Sequence, residues 1–347
     1  MTGAAAPSRP MRRLIVAVRI AILCAVILPA VMIAVIAEDR RQETQHEAEM
    51  LLARRVELVA EHVGRVLEIQ EVFLAQIDLV TRGMSWAGIA EGPQVSLLLK
   101  DFAERREHVA SVWIADPAGV IRAASQPWRP GLTIGDRDFF IAQRARDQGV
   151  FIGEAFVGRT TGQRSFAVSR RRSTADGSFD GTIHVAVSAD YLETFFAGVP
   201  GERQAIALVR ADGAVLAQSP PLVGPFRLTA ASPLMQHIGA AERGVFRGRS
   251  TVDGTERLYA FTRVGDQPLF IELGVTIDEV FAQWRRDTLR HGAITAALML
   301  LLAIAGFGLL ALARQAEAAA RHALAEAERN VAAQRRIDAL ERQNAVS

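Results

Sequence analysis

The chain has 347 residues, 50% of them apolar, enough for one or two hydrophobic cores. Its 40 basic and 38 acidic side chains nearly cancel, which argues against a nucleic-acid surface. The single cysteine, Cys24, excludes an internal disulfide framework and cysteine-based metal sites.

Residues 1–13 form a short tail carrying Arg9, Arg12 and Arg13. An apolar run follows over 14–37, and Ile20 to Ala37 is free of charge, just long enough to span a bilayer core. A cleaved signal peptide is the alternative. The run is long for one, no clean A-x-A site follows it, and charged helix continues at once, so an uncleaved anchor is expected. From Glu38 to about Arg82, Val56, Val59, Val63, Val66, Phe73 and Ile77 recur at helical steps without proline, predicting a long stalk helix that also serves as a dimer seam. A Gly/Ser break spans 83–92, and a second amphipathic helix is expected over 94–108.

The pattern then turns to β. The segment SVWIA (111–115), an Asp-Pro-Ala-Gly turn and VIRAAS (120–125) read as a hairpin. Trp128 sits on a Pro-Gly loop, and Asp136 to Arg146 is predicted as a short helix capped by Asp136. Strands are expected near 150–153, 163–172 and 182–188, with Asp190 capping the next helix.

The order then repeats. VWIADPAGVIRAAS (112–125) corresponds to ALVRADGAVLAQS (207–219), and GQRSFAVSR (162–170) to GTERLYAFTR (254–263). Both copies close on a strand that runs into a helix, GTIHVAVSADY from Gly181 and LFIELGVTIDEV from Leu269. The expected fold class is therefore α+β: a long N-terminal helix and two tandem units, each with a five-stranded antiparallel sheet. The halves are expected at 111–200 and 201–285, after packing helices over 38–110. A second apolar run over 291–313 and an Ala/Glu/Arg-rich helix over 314–347 complete the chain. In that last helix Leu324 and Val331, then Ala333, Ile337 and Leu340, give an interrupted coiled-coil seam that fades at Asn344. A solvated single helix is the alternative.

A long helix, tandem PAS-like units and flanking spans resemble a double Cache (PDC) sensor domain of bacterial transmembrane receptors, of the histidine kinase or diguanylate cyclase type. The likeness covers roughly 38–285, and Asp136-Arg137-Asp138-Phe139-Phe140 with FIGEAFVGRTTGQRSFAVSRR (151–171) carry it. It implies a receptor of the inner membrane with a periplasmic sensor (38–290), both termini cytoplasmic, working as a homodimer without a cofactor. No output domain appears, so the output lies downstream in cis or on a separate protein.

The resemblance also implies a ligand cavity in the distal half. Along 181–188 and 163–171, strand alternation puts Thr182, His184, Ala186 and Ser188, with Ser165, Ala167 and Ser169, on small or polar faces. Arg137 opens R-D-F-F, similar to the R-x-W-Y motif with which amino-acid-sensing Cache domains grip a carboxylate, a pairing that guanidinium geometry favours. The aspartate that holds the ligand ammonium in that subfamily is replaced by Ala186, so a plain carboxylate or other small anion is expected. The candidate site is Arg137, Phe139, Phe140, Trp128, Arg159, Arg164, Ser169 and His184. For each a plain role competes: helix surface for Arg137, solvation for Arg159 and Arg164, core for His184, Phe139 and Phe140, and core cover for Trp128. The proximal half lacks an R-x-F-F equivalent and is expected to be a spacer that passes on motion. No metal-ligand spacing, nucleophile elbow or phosphate loop is present, so no catalytic constellation is expected. A ligand-free scaffold using the same fold as an interaction surface is the principal rival reading.

Overall fold

The computed structural model describes residues 9–201, 203–222, 224 and 226–344. The tail expected over 1–13 therefore lies outside the described residues as far as residue 8, and the side chains of Ile337, Leu340 and Asn344 are outside them too. The chain divides into a unit of residues 44–281 and one made of 1–43 with 282–347.

Helix α1, Arg9–Thr81, is continuous through the first apolar run and the stalk. One face of its later part is buried, with Val63, Leu74 and Ile77 fully inaccessible. Two short helices follow: α2, Trp86–Glu91, and α3, Pro93–Glu104. The Gly/Ser break thus holds a helical turn, because Ser85 Oγ accepts the Gly88 amide and nucleates α2.

The first sheet contains β1 (Val109–Ala115), β2 (Ile121–Ala124), β3 (Val150–Val157), β4 (Arg164–Ser173) and β5 (Phe179–Ser188), in the order β2-β1-β5-β4-β3. Helix α4, Asp138–Ala145, precedes β3, and α5, Ala189–Ala197, follows β5. The second sheet contains β6 (Gln204–Arg210), β7 (Ala214–Ser219), β8 (Phe226–Arg227), β9 (Arg243–Arg249), β10 (Glu256–Arg263) and β11 (Leu269–Thr276). Its order is β8-β7-β6-β11-β10-β9, with α6, Pro233–Ile238, before β9. The repeat predicts five antiparallel strands in each half; the second sheet has the same five plus the two-residue β8, whose pairing sets Phe226 against Val215.

Alternation divides each sheet into two faces. Ile183, Val185 and Val187 of β5 join Ile271, Leu273 and Val275 of β11 in one core backed by α1. The opposite faces carry separate clusters, Trp113 with Phe139 and Phe140 in the first half, and Tyr259 with Phe261 and Phe270 in the second. The halves are built in register. Ser165 on β4 lies opposite Ser188, and Arg257 on β10 lies opposite Thr276. Ser188 and Thr276 are both N-caps, accepting the amides of Tyr191 and Glu279.

Two expected caps are corrected. Asp136 does not cap α4, which begins at Asp138 with Arg137 in the cap position, because the Asp136 carboxylate is engaged by Arg159. Asp190 does not cap α5, because the Ser188 hydroxyl takes that role and leaves Asp190 free to pair with Arg164. After β11, α7 (Ile277–Val280) leads to α8, Ala282–Asn344, which contains the second apolar run. Both α1 and α8 are long and apolar enough to cross a membrane, and their apolar stretches are exposed.

Candidate functional site

The R-D-F-F segment builds one wall of a cleft on the free face of the first sheet. Phe139 and Phe140 are fully buried and anchor α4 to the sheet. Gly153 allows this approach: a Cβ there would meet Asp138 Oδ1 at 3.0 Å and Phe139 Cβ at 3.3 Å. Arg137, fixed at the N-cap, is thereby turned towards the cleft, which it lines with Trp113, Phe139, Arg159, Ser165 and His184. The cleft encloses about 460 Å³, counting the part open to solvent.

The Arg137 guanidinium lies 4.5 Å from the centre of the Phe156 ring and donates to the Val157 carbonyl at 3.2 Å. Among the described residues no carboxylate lies within ion-pair distance of it. Burial lowers its pKa, and the charge of Arg159 adds to the effect. The nearby Asp136 and Asp138 carboxylates oppose the shift without reversing it. Arg159 differs: it forms a two-pronged pair with Asp136 and donates to the Thr133 carbonyl at 2.6 Å. The hydrogen bonds from Arg159 hold the Asp136 carboxyl below its ordinary range.

His184 forms the floor. Its ring centre is 4.7 Å from that of Phe139 and 6.5 Å from that of Trp113. Burial, helped by the charge of Arg137, pushes its pKa down to about 3, so the imidazole is neutral. Its Nδ1 is buried without a partner, and so is Ser165 Oγ. Orphaned polar atoms at the base of a cleft are costly unless something fills them. Ala186 also lines the cleft with a small side chain.

Of the eight expected residues, Arg137, Phe139, Arg159 and His184 meet in this cleft. Phe140 lies behind it, edge-on to Phe179. Trp128 packs half-buried against the same cluster without lining the cleft. Ser169 is buried one step further along β4, its hydroxyl donating to the Phe151 carbonyl. Arg164 lies in a different cleft, between the halves, paired with Asp190 and Glu193 and donating to the Leu222 carbonyl. Trp113 is the wall residue that the sequence reading overlooked. Strand alternation from Ser111 would have found it, since the two share a face and the Trp113 indole N–H donates to Ser111 Oγ at 2.7 Å. Among the described residues no group of His, Cys, Asp and Glu is arranged to hold a metal.

The covered face of the first sheet thus brings several polar side chains together at one cleft. Residues 189–274 match the family described as dCache_1_like, a histidine kinase sensor domain. The chain is similar to the extracellular domain of rpHK1S-Z16, a protein described as a histidine kinase, at 27% identity and a TM-score of 0.62, over 69% of this chain and 99% of that one. The Thr44–Phe281 unit has the fold of these sensor domains, and the match to the Cache family model lies within it. Fold likeness extends to the periplasmic sensory domain of the Campylobacter jejuni chemoreceptor Tlp1, at 13% identity and a TM-score of 0.56, over 69% and 98% of the two chains. It extends also to the sensory domain of Campylobacter jejuni chemoreceptor Tlp3 with isoleucine bound, at 15% identity and a TM-score of 0.51, over 69% and 96%. No curated protein sequence matches the chain at a significant level. In sequence, the two apolar helices flank this sensor-type unit, an arrangement consistent with a membrane receptor.

Proposed function

We propose that the chain is a two-span receptor of a bacterial inner membrane whose distal Cache half binds a small carboxylate or similar anion. The observation that carries this reading is Arg137: half-buried at the cleft, stacked on Phe156, with no carboxylate in ion-pair distance among the described residues. A bound carboxylate would accept from its guanidinium and exclude water from the pair. The neutral His184 and the Ser165 hydroxyl can hydrogen-bond an anion without repelling it. Ala186 offers no charge to an ammonium, which favours a plain acid over an α-amino acid.

In this reading residues 14–37 and 291–313 lie in lipid, 38–290 outside the cytoplasm, and 1–13 and 314–347 inside it. Two copies associate along α1 and through a coiled coil after the second span. Ligand closure on Arg137 is passed through the proximal half and the 291–313 span to a cytoplasmic output, in cis or in trans. For this, the ligand must bind one of two conformations more tightly than the other. The test is a thermal-shift screen of the chain in nanodiscs against acetate, lactate, succinate and related acids. A hit that raises the melting temperature of wild type and fails on Arg137→Ala is expected. An acid that stabilises both equally, or no acid acting at millimolar concentration, defeats the reading.

A further inference from the structure

The proximal half holds the larger cavity. On the free face of its sheet, beneath α6 and the 250–255 loop, is a cavity of about 1330 Å³, again counting the part open to solvent, against about 460 Å³ in the distal half. The register of the repeat explains the difference. In the distal half Trp113 on β1 stands opposite His184 on β5; in the proximal half the matching pair is Ala207 opposite Glu272. An indole that fills the distal face is thus replaced by a methyl group. The next residues on that face, Ala205 opposite Gly274, are small as well. The Tyr259 ring lies across Gly274, where any Cβ would collide with it, and forms one side wall.

The polar atoms left in this cavity are specific. Arg257, at the position matching Ser165, spends both terminal nitrogens on Asp253, at 2.8 and 2.6 Å. That pair is internally neutral. Glu272, at the position matching His184, has no hydrogen-bond or ion-pair partner among the described residues. Gln204 donates to the Val199 carbonyl, while its Oε1 is buried without a partner. Arg257 Nε is the remaining orphaned donor. Gln204 stands opposite Val275 on the α1 side of the sheet, so the acceptor left facing the wall of Val209, Val215 and Leu234 is the Glu272 carboxylate. Arg203 is the other cation of the lining and is solvent-exposed.

We infer that the proximal half is a second binding site, for a small organic amine with an apolar body, whose ammonium is held by Glu272. The ammonium supplies the donors that the Glu272 carboxylate lacks, and the body covers the valines and Leu234. The Arg257–Asp253 pair shapes the wall and leaves Glu272 as the unbalanced charge. Burial raises the Glu272 carboxyl to about 7, against the opposing pull of Arg257. Binding therefore strengthens as Glu272 ionises, by about tenfold between pH 6 and pH 8. Across that range Asp253 stays ionised and Arg257 stays charged, while Tyr259 stays neutral because burial raises its pKa.

The test uses the full chain in nanodiscs with phenethylamine and butylamine as probes, and 2-phenylethanol and acetate as controls, read by calorimetry and thermal shift. Expected are saturable amine binding at pH 8, about tenfold weaker at pH 6, and no binding of phenylethanol at the same site. Glu272→Gln, which keeps the side-chain shape, should abolish binding. Gln204→Leu, on the other face of the sheet, and Arg137→Ala should both leave it unchanged. Absence of saturable amine binding overturns the inference, as does binding that Glu272→Gln leaves intact. Loss of amine binding in Arg137→Ala would move the site to the distal half and overturn it equally.

Discussion

Arg210 in the proximal half donates to Asp138 in the distal half at 3.2 Å, and Asp138 is the residue next to Arg137. The same guanidinium donates to the Ile152 carbonyl at 2.9 Å and pairs with Asp212 at 2.6 Å. It stands on β6 opposite Leu269, the first residue of β11. The α4 N-terminus is thereby tied to β6, the sheet neighbour of the strand that leads in sequence to α7 and α8.

Arg210→Met should expose this coupling. Asp138 would lose a largely buried ionic partner, at a cost of about 1–3 kcal/mol, below the range for a fully buried pair because Asp138 is partly solvated. Chemical denaturation of the full chain reads this directly. In a reporter assay the variant should still bind a distal ligand while its output response is diminished. An unchanged response would remove Arg210 from the transmission route.

The pH dependence of stability has two opposed contributions. His184 titrates at about 3 in the fold and near 6.5 unfolded, so the unfolded chain takes up the proton first as pH falls. Stability from this group is fully present above 6.5 and declines by about 2 kcal/mol by pH 5. Glu272 has the reverse sign: its folded pKa of about 7 exceeds 4.5, so stability falls as pH rises between those values, by up to about 3 kcal/mol. From pH 4.5 to 6.5 the two nearly cancel. Glu272→Gln should therefore reveal a melting temperature that climbs with pH over that range, and His184→Gln one that descends. Parallel curves for both variants and wild type would contradict the assignments.

Along α1, Leu51, Leu58, Val72 and Leu79 are spaced by multiples of seven and are 52–69% exposed, on a face separate from the buried core stripe. The remaining heptad position is Arg65, paired with Glu61. In the proposed dimer this stripe is the seam. Leu58→Asp with Val72→Asp should shift the purified chain from dimer to monomer in light scattering, with thermal unfolding of each copy's Cache fold retained. A Leu58→Cys variant should crosslink on oxidation; Cys24 is replaced by Ala in both arms so that the result has one origin.

Gly181, the third residue of β5, has φ +96°, and a Cβ there would run into the Ala115 carbonyl at the end of β1. Gly181→Ala combines left-handed strain with a backbone clash and should cost about 2–4 kcal/mol. Gly177→Ala, also at positive φ but with open space around it, should cost about 1 kcal/mol. The contrast between the two in denaturant titration separates strain from collision.

Much of this was legible beforehand because the fold rests on periodicities. Alternation placed Ile183, Val185 and Val187 on the core face and His184 with Ala186 on the cleft face, and three- and four-residue steps gave the buried stripe of α1. Matching the two copies predicted the paired sheets. What was not legible depends on distances across the chain. Arg164 was placed in the distal cleft on its nearness in sequence to Arg159, yet the partners that draw it away, Asp190 and Glu193, lie 26 and 29 positions on. Asp136 has the composition of a helix cap, and only the position of Arg159 across the loop shows otherwise. The proximal cavity was hidden for a further reason: a cavity arises from what is missing, and Ala207 acquires meaning only when set against Trp113 in register.

That register has a consequence for how such a molecule can change. Ser165 with Ser188 and Arg257 with Thr276 are equivalent addresses in two copies of one lattice, so side chains can be exchanged between halves without altering any loop length. Alternation keeps the addresses that meet a ligand apart from those that meet α1. Recognition in either half can therefore be rewritten by point substitution while the shared hydrophobic seal stays untouched, and each half can drift in chemistry independently of the other.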